Sequence, residues 1–409
     1  MSCNNVNVEP IIIGGGDGST AYDAFGRLRV SNPLTIFDSK NVMSKNDLFD
    51  EDLTGSGTVT YTANKSTVNL NVTTASGDKV IRQSKRVMSY QPGKSLFNLN
   101  TFVMADDDEN LRQRVGMFDT NNGIFFEKEG STLNIVRRTY TSGSAVDTEV
   151  AQSSWNGDKL DGTGESGFTL DETKSNILWM DMEWLGVGAV RVGFIINGQF
   201  ITCHTFNNAN NLDTVYMQTA NLPIRYEIEA TGTLSGSAVL QQICSTVMSE
   251  GGYSPSGIKK MVGTTAIAGS RLPTADTWHS IGTIRIKSGR PYAVIIPSGY
   301  IVAGFENTDF QVGLFKGVTL ASGSFSYTSY DDNVEYDLTV RALSATGTQL
   351  SSNFISGRDS PVATFGNGVP FDYQIGQTIG GTSEILTLAA KATTNNDDLG
   401  FTLQWIDIT

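Results

Sequence analysis

The chain has 409 residues, with 29 Lys plus Arg against 42 Asp plus Glu and a net charge of −13, which argues against a general phosphate-backbone or acidic-membrane surface. Apolar residues make up 39%, charged residues 17%, and glycines number 43, a mixture that suits strands joined by tight turns in two or three domains. The cysteines, Cys3, Cys203 and Cys244, lie too far apart for a disulfide framework or a paired metal knuckle, so buried reduced thiols are expected and no metal or cofactor is implied.

Residues 1 to 20 lack a basic start and a long apolar core, and Ile11 to Ile13 is far too short to span a membrane; synthesis in a cytoplasm without a signal peptide is expected. "GGGDG" at 14 to 18 lacks the Lys-Ser/Thr of a phosphate loop and reads as a turn. In "AYDAFGRLRVSNPLTIFDSKN" the apolar residues keep no clean alternation, while Arg27 and Arg29 share a face. Two readings stand: a first strand of the following domain, or an extended arm over 1–35 that docks on another subunit through Tyr22, Phe25, Arg27, Arg29 and Phe37. The arm is the preferred expectation.

From 36 to 250 a period of two dominates, as in "TVNLNV", where Val68, Leu70 and Val72 share one face. Asn197-Gly198 between two β-rich runs is a strong hairpin signal, and Asn122-Gly123 and Gly130 suggest two further turns. "NLDTVYMQTANL" is the best candidate for a short helix. Periodicity fades over 251–274, which reads as a linker, and returns as short strands over 275–409. The expected fold class is therefore all-β: an arm, a large sandwich over 36–250 and a smaller C-terminal β-sandwich.

Chemistry is sparse. His204 and His279 fall in different predicted domains with no nucleophile elbow, so a hydrolytic triad is not expected. The run Asp106, Asp107, Asp108, Glu109 lacks EF-hand spacing and reads as a solvated loop. "SSWNGDKLDGTGESGF" offers two readings. Trp155 could stack a sugar ring while Asp158 and Asp161 accept its hydroxyls, or one tryptophan could simply pack a long surface loop, which is the commoner case.

In "NILWMDMEWLG", Asp181 and Glu183 are two apart and expected on one strand face. The segment resembles the Glu-x-Asp-x-Glu strand of laminarinase-like jelly-roll glycosidases, but Trp179 stands where the first carboxylate belongs. No catalytic residues are therefore assigned. The span from "RVGMFDTNNGIFFEKEG" to "NLPIRYEIEATG" resembles a concanavalin- or laminin-G-like jelly roll. Together with the preceding "DAFGRLRVSNPLTIFDSK" it is similar to virion structural proteins of tailed bacteriophages. The resemblance covers about residues 20 to 250. It implies a non-enzymatic particle component of head, neck or tail, located in the virion, with other copies of itself (a trimer by analogy with fibres), other virion proteins and host surface polysaccharide as partners, and neither nucleic acid nor membrane. A jelly-roll depolymerase is the alternative.

Overall fold

A computed structural model describes residues 32–254, 256–265, 269–305, 308–356, 362–364 and 370–409, the side chains of 362–364, 370 and 371 excepted. The first set of strands runs β1 (Leu34–Lys40), β2 (Phe49–Thr54), β3 (Thr58–Thr62), β4 (Thr67–Val72), β5 (Lys79–Ser84), β6 (Ser95–Val103), β7 (Leu111–Phe118) and β8 (Gly123–Glu129). It continues with β9 (Thr132–Thr139), β10 (Val146–Ala151), β11 (Asn176–Met182), β12 (Val190–Ile196), β13 (Gln199–Phe206), β14 (Ile224–Ala230) and β15 (Ala238–Glu250). One sheet has the order β13-β12-β11-β6-β15-β4-β3 with β1 added along β15, and the facing sheet has the order β10-β9-β8-β7-β14-β5-β2. Their antiparallel pairing and the insertion of late strands between early ones make this sandwich a jelly roll.

The alternation seen in the sequence produces this packing. Strand β6 points Leu96, Asn98, Asn100 and Phe102 inward, and its other residues outward. Asn197 (φ 51°) and Gly198 (φ 78°) form a two-residue turn between β12 and β13, because the right-handed strand twist favours two left-handed turn residues. Asn122-Gly123 behaves differently. Gly123 opens β8, and Asn122 is fully buried, donating to Tyr292 Oη (3.1 Å) and accepting from the N–H groups of Tyr140 (3.2 Å) and Gln218 (3.0 Å). The "NLDTVYMQTANL" stretch is irregular rather than helical, since its backbone and side chains bond to neighbouring loops.

The remaining strands are β16 (Ile258–Gly263), β17 (Ser270–Leu272), β18 (His279–Ile286), β19 (Ile295–Gly304), β20 (Phe310–Lys316), β21 (Thr319–Leu320) and β22 (Thr328–Ser329). After them come β23 (Val334–Asp337), β24 (Arg341–Ala345), β25 (Thr348–Ile355), β26 (Val362–Thr364), β27 (Leu386–Ala392) and β28 (Asp397–Asp407). They build two more sheets, β16-β28-β19-β26 with β17 on β28, and β21-β24-β18-β27-β20-β25 with the β22/β23 pair on β18. The expected linker 251–274 thus contains two strands: β16 pairs Ile258 with Asp407, and β17 pairs Ser270 with Leu399. Their own alternation is weak, and their partner strand β28 supplies the order, burying Leu399, Phe401, Leu403 and Trp405.

The two sandwiches are fused through apolar and polar contacts. Val294 and Ile296 pack into the first core, whereas Ile295 between them packs into the second. The segment 372–384 is bonded to the first sandwich: Gln377 N–H donates to Lys85 O (2.7 Å), Ile379 N–H to Asp50 Oδ2 (2.8 Å) and Arg86 Nη2 to Asp372 O (2.6 Å). Among the described residues no helix is long and apolar enough to cross a membrane.

Candidate functional site

Asp181 and Glu183 part company at the end of β11. Asp181 is buried opposite Arg191 on β12 and accepts from Arg191 Nε (3.1 Å) and Nη2, while Glu183 lies beyond the strand and is exposed. The expected shared face is lost because β11 stops at Met182 and the chain turns at positive φ through Leu185 and Gly186. A carboxylate held by a guanidinium, with Glu183 beyond the strand and exposed, is poorly placed to be a nucleophile or a general acid.

Trp155 cannot stack a sugar. Its side chain is in the first core, 3% exposed, with Nε1 donating to Val150 O at 2.9 Å. The two aspartates that follow are occupied by their own loop. Asp158 accepts from the N–H groups of Leu160 (2.8 Å) and Ser166 (2.7 Å), and Asp161 from the Thr163 N–H (2.9 Å) and hydroxyl (2.6 Å). Burial alone would raise the Asp158 carboxyl, yet these N–H donors hold it below its ordinary value. Trp155 is thus a buried brace, whereas Asp158, whose carboxylate closes its own loop, also lines an open hollow of about 670 Å³ with Glu165, Gln199 and Phe200.

Of the expected anchor residues, Tyr22, Phe25, Arg27 and Arg29 lie outside the described residues. Phe37 is described, and it is a core residue: 4% exposed in β1, with its ring edge-on to Phe49 at 5.9 Å. The segment from Leu34 is a strand paired with β15, so the apolar side chains of Ile36 and Phe37 are used within the fold.

Elsewhere, several ionisable groups are committed internally. Lys128, 1% exposed, is bonded to Asp107 (2.8 Å) and Glu172 (2.6 Å), and Asp108 accepts from the Ser235 N–H and hydroxyl, both at 2.7 Å. On the outer face of the second sheet, Glu127, Arg114 and Glu227 form a row across β8, β7 and β14, joined by Lys79 and Arg225. Burial of Glu227 would raise its carboxyl, but Arg225, Lys79 and Arg114 hold it down at about 2. Burial lowers both histidines. His204 Nδ1 accepts from Asn156 N–H (3.3 Å), and His279 Nδ1 lies 2.8 Å from Thr277 O. Cys203 is buried with its thiol pushed up to about 12 by burial, whereas Cys244, expected buried, is half-buried with Sγ 3.0 Å from Thr101 Oγ1. Among the described residues no group of three or more His, Cys, Asp or Glu is placed to hold a metal.

Several concave regions open to solvent among the described residues, and one of them gathers aromatic side chains. At the junction of the sandwiches a cleft of about 640 Å³ is lined by Tyr90, Trp184, Gln218, Thr219, Tyr253 and Ser256, among others. The reading of the sequence passed over these residues. Nothing local in the sequence links Trp184 to Tyr90 or Tyr253.

No family model matches the chain, and no curated protein matches it. Solved structures similar to it include an endo-β-1,4-glucuronan lyase from the fungus Trichoderma reesei, at 12% identity and TM-score 0.34 over 52% of this chain and 95% of that one. A Bacteroides ovatus mixed-linkage glucan GH16 protein in complex with a G4G4G3G product is 10% identical, with TM-score 0.36 over 52% of this chain and 99% of that one. The CBM2 module of the evolved Dit of Lactobacillus casei BL23 phage J-1 is 5% identical, with TM-score 0.34 over 55% of this chain and all of that one (100%). Likenesses at these scores carry no argument about ligand or activity.

Proposed function

We propose that the chain is a non-enzymatic structural component of a tailed-phage particle, which associates with copies of itself and with other particle proteins and touches host-surface glycans. The observation that carries the associating role is where large apolar side chains meet solvent. Every such residue on a described strand lies on an edge strand: Leu53 on β2, Val146 on β10, Phe200 on β13, Ile258 and Met261 on β16, and Phe354 on β25. All four sheets contribute, and Phe354 is 79% exposed. An edge strand with unpaired backbone groups and apolar side chains favours pairing with another chain, and a symmetric assembly covers such edges. The phage setting rests on the resemblance of "DAFGRLRVSNPLTIFDSK" and the sandwich after it to virion proteins. Against the alternative, a jelly-roll depolymerase, stands the commitment of Asp181 to Arg191.

Sedimentation of the full chain over a range of concentrations tests this reading. Self-association is expected, weakened in Ile258→Asp/Met261→Asp and in a chain lacking residues 1–30, with no reducing ends released from host envelope polysaccharide. A chain that stays monomeric throughout, or that releases reducing ends and loses this in Asp181→Asn, overturns it.

A further inference from the structure

The junction cleft combines three half-buried aromatic rings with an uncharged polar rim. Tyr90 meets Trp184 edge-on, with centroids 5.9 Å apart and an interplanar angle of 78°, and both rings, with Tyr253, pack on the first core. Each ring is anchored by its polar tip. Trp184 Nε1 donates to Met217 O (3.2 Å), Tyr90 Oη accepts from Leu185 N–H (3.2 Å), and Tyr253 Oη lies 2.7 Å from Ser89 Oγ. Asn221 Oδ1 accepts from Tyr90 N–H at 3.1 Å and fixes the strand of chain that carries the ring. The rings are therefore oriented before any ligand arrives, which lowers the entropic cost of binding.

Around these rings stand Gln218, Thr219 and Ser256, with Ile408 reaching in from the second sandwich. Among the described residues no Asp, Glu, Lys, Arg or His side chain lines the cleft, and the carboxylate that acts on Tyr90 from nearby is that of the exposed Glu183. Lys94 lies over the Tyr253 ring at 5.8 Å and is bonded to Gln91 Oε1. A ligand that fits must offer flat apolar faces to the rings and neutral hydroxyls or amides to the rim. A charged ligand would lose its hydration there without a compensating partner. We propose that this cleft binds a neutral oligosaccharide. A pyranose ring has an apolar C–H face that lies on an aromatic ring, with hydroxyls around its edge that exchange hydrogen bonds with amides and hydroxyls. The volume falls within the range of about 300–1,000 Å³ usual for ligand sites, and domain junctions are where such sites concentrate. The choice of sugar as ligand class rests on the glycan-contacting reading above, whereas the place of the site rests on the cleft itself.

The test uses the full chain, titrated by calorimetry and tryptophan fluorescence with laminarihexaose, maltohexaose and chitotetraose, and with oligogalacturonate as the charged counterpart. At least one neutral probe should bind and oligogalacturonate should not. Trp184→Ala and Gln218→Ala should weaken that binding by about tenfold or more, while Met43→Ala, an exposed position outside the cleft lining, leaves it unchanged. Because Trp184 packs on the core, its truncation endangers the fold. Gln218→Ala and the blocking Ser256→Trp change exposed positions, and circular dichroism melts confirm that they fold. Binding that survives both exposed-site variants overturns the cleft and leaves the glycan reading standing. No binding of any neutral probe overturns both. If the variants abolish association with a partner protein and leave sugar binding intact, the cleft is a peptide site and the inference fails.

Discussion

Gly193 stands on β12 where its neighbours leave no space for a side chain. A Cβ there would lie 1.9 Å from Ile201 O on β13 and 2.9 Å from Trp179 Nε1. The Trp179 indole lies over this position, itself flanked by Phe97 at 6.1 Å and Phe200 at 6.0 Å, so Gly193 makes room for an aromatic cluster on the outer face of the first sheet. Backbone would have to move to admit even a methyl group. Gly193→Ala should therefore destabilise the chain by about 2–4 kcal/mol, read as a lowered midpoint in urea at unchanged slope. A midpoint equal to that of the wild type would show that β12 and β13 can separate freely. The glycine was one of many in the sequence, and only the register of β12 against β11 and β13 distinguishes it.

At the scale of elements, the outer face of β8, β7 and β14 is held by alternating charge. Glu127 faces Arg114 across one strand pair and Glu227 faces Arg114 across the next, with Arg114 Nε 2.6 Å from Glu127 Oε2. The Arg225 guanidinium lies 5.2 Å above the Phe118 ring centroid and the Arg114 guanidinium 5.3 Å from that of Phe125, so the charged row is seated on aromatic rings. Glu227 has its carboxyl depressed to about 2 from an ordinary 4.5, which means that the folded state favours its charged form. Its stabilisation is complete above pH 4.5 and is lost as the pH falls toward 2. Glu227→Gln should cost on the order of 3 kcal/mol at pH 7 and flatten the acid limb of stability between these pH values. Denaturant titrations at a series of pH values check this. An acid limb as steep in the variant as in the wild type would assign the acid sensitivity to other carboxylates.

For the molecule as a whole, the shared strand β19 decides whether two sandwiches behave as one body. The residue before it, Val294, and Ile296 lie in one core and Ile295 in the other, and each fully buried aliphatic contributes roughly 1.5–3 kcal/mol. The bonds from segment 372–384 to Lys85, Asp50 and Arg86 add polar coupling. Scanning calorimetry should show one transition for the wild type and two for Ile296→Asp, because a carboxylate at a position 1% exposed must separate the sandwiches to reach water. A single transition at a lowered temperature in the variant would mean that the polar contacts alone couple them.

Strand identity was legible in the sequence by itself, because burial on one face imposes a period of two that survives without knowledge of any partner. The all-β class, the Asn197-Gly198 turn and the burial of Cys203 all follow from such local rules. What covers each face is not local. Whether Trp155 meets water, whether Phe37 anchors a neighbour or fills a core, and whether 258–263 is linker or strand depend on chain segments far away in sequence. The cleft is the extreme case, since Tyr90, Trp184, Tyr253 and Ile408 meet only after both sandwiches have closed and docked. Sequence alternation determined which residues could share a face, and only tertiary packing decided which faces remained open, because burial is a property of the surface that arrives opposite and not of the strand that carries it.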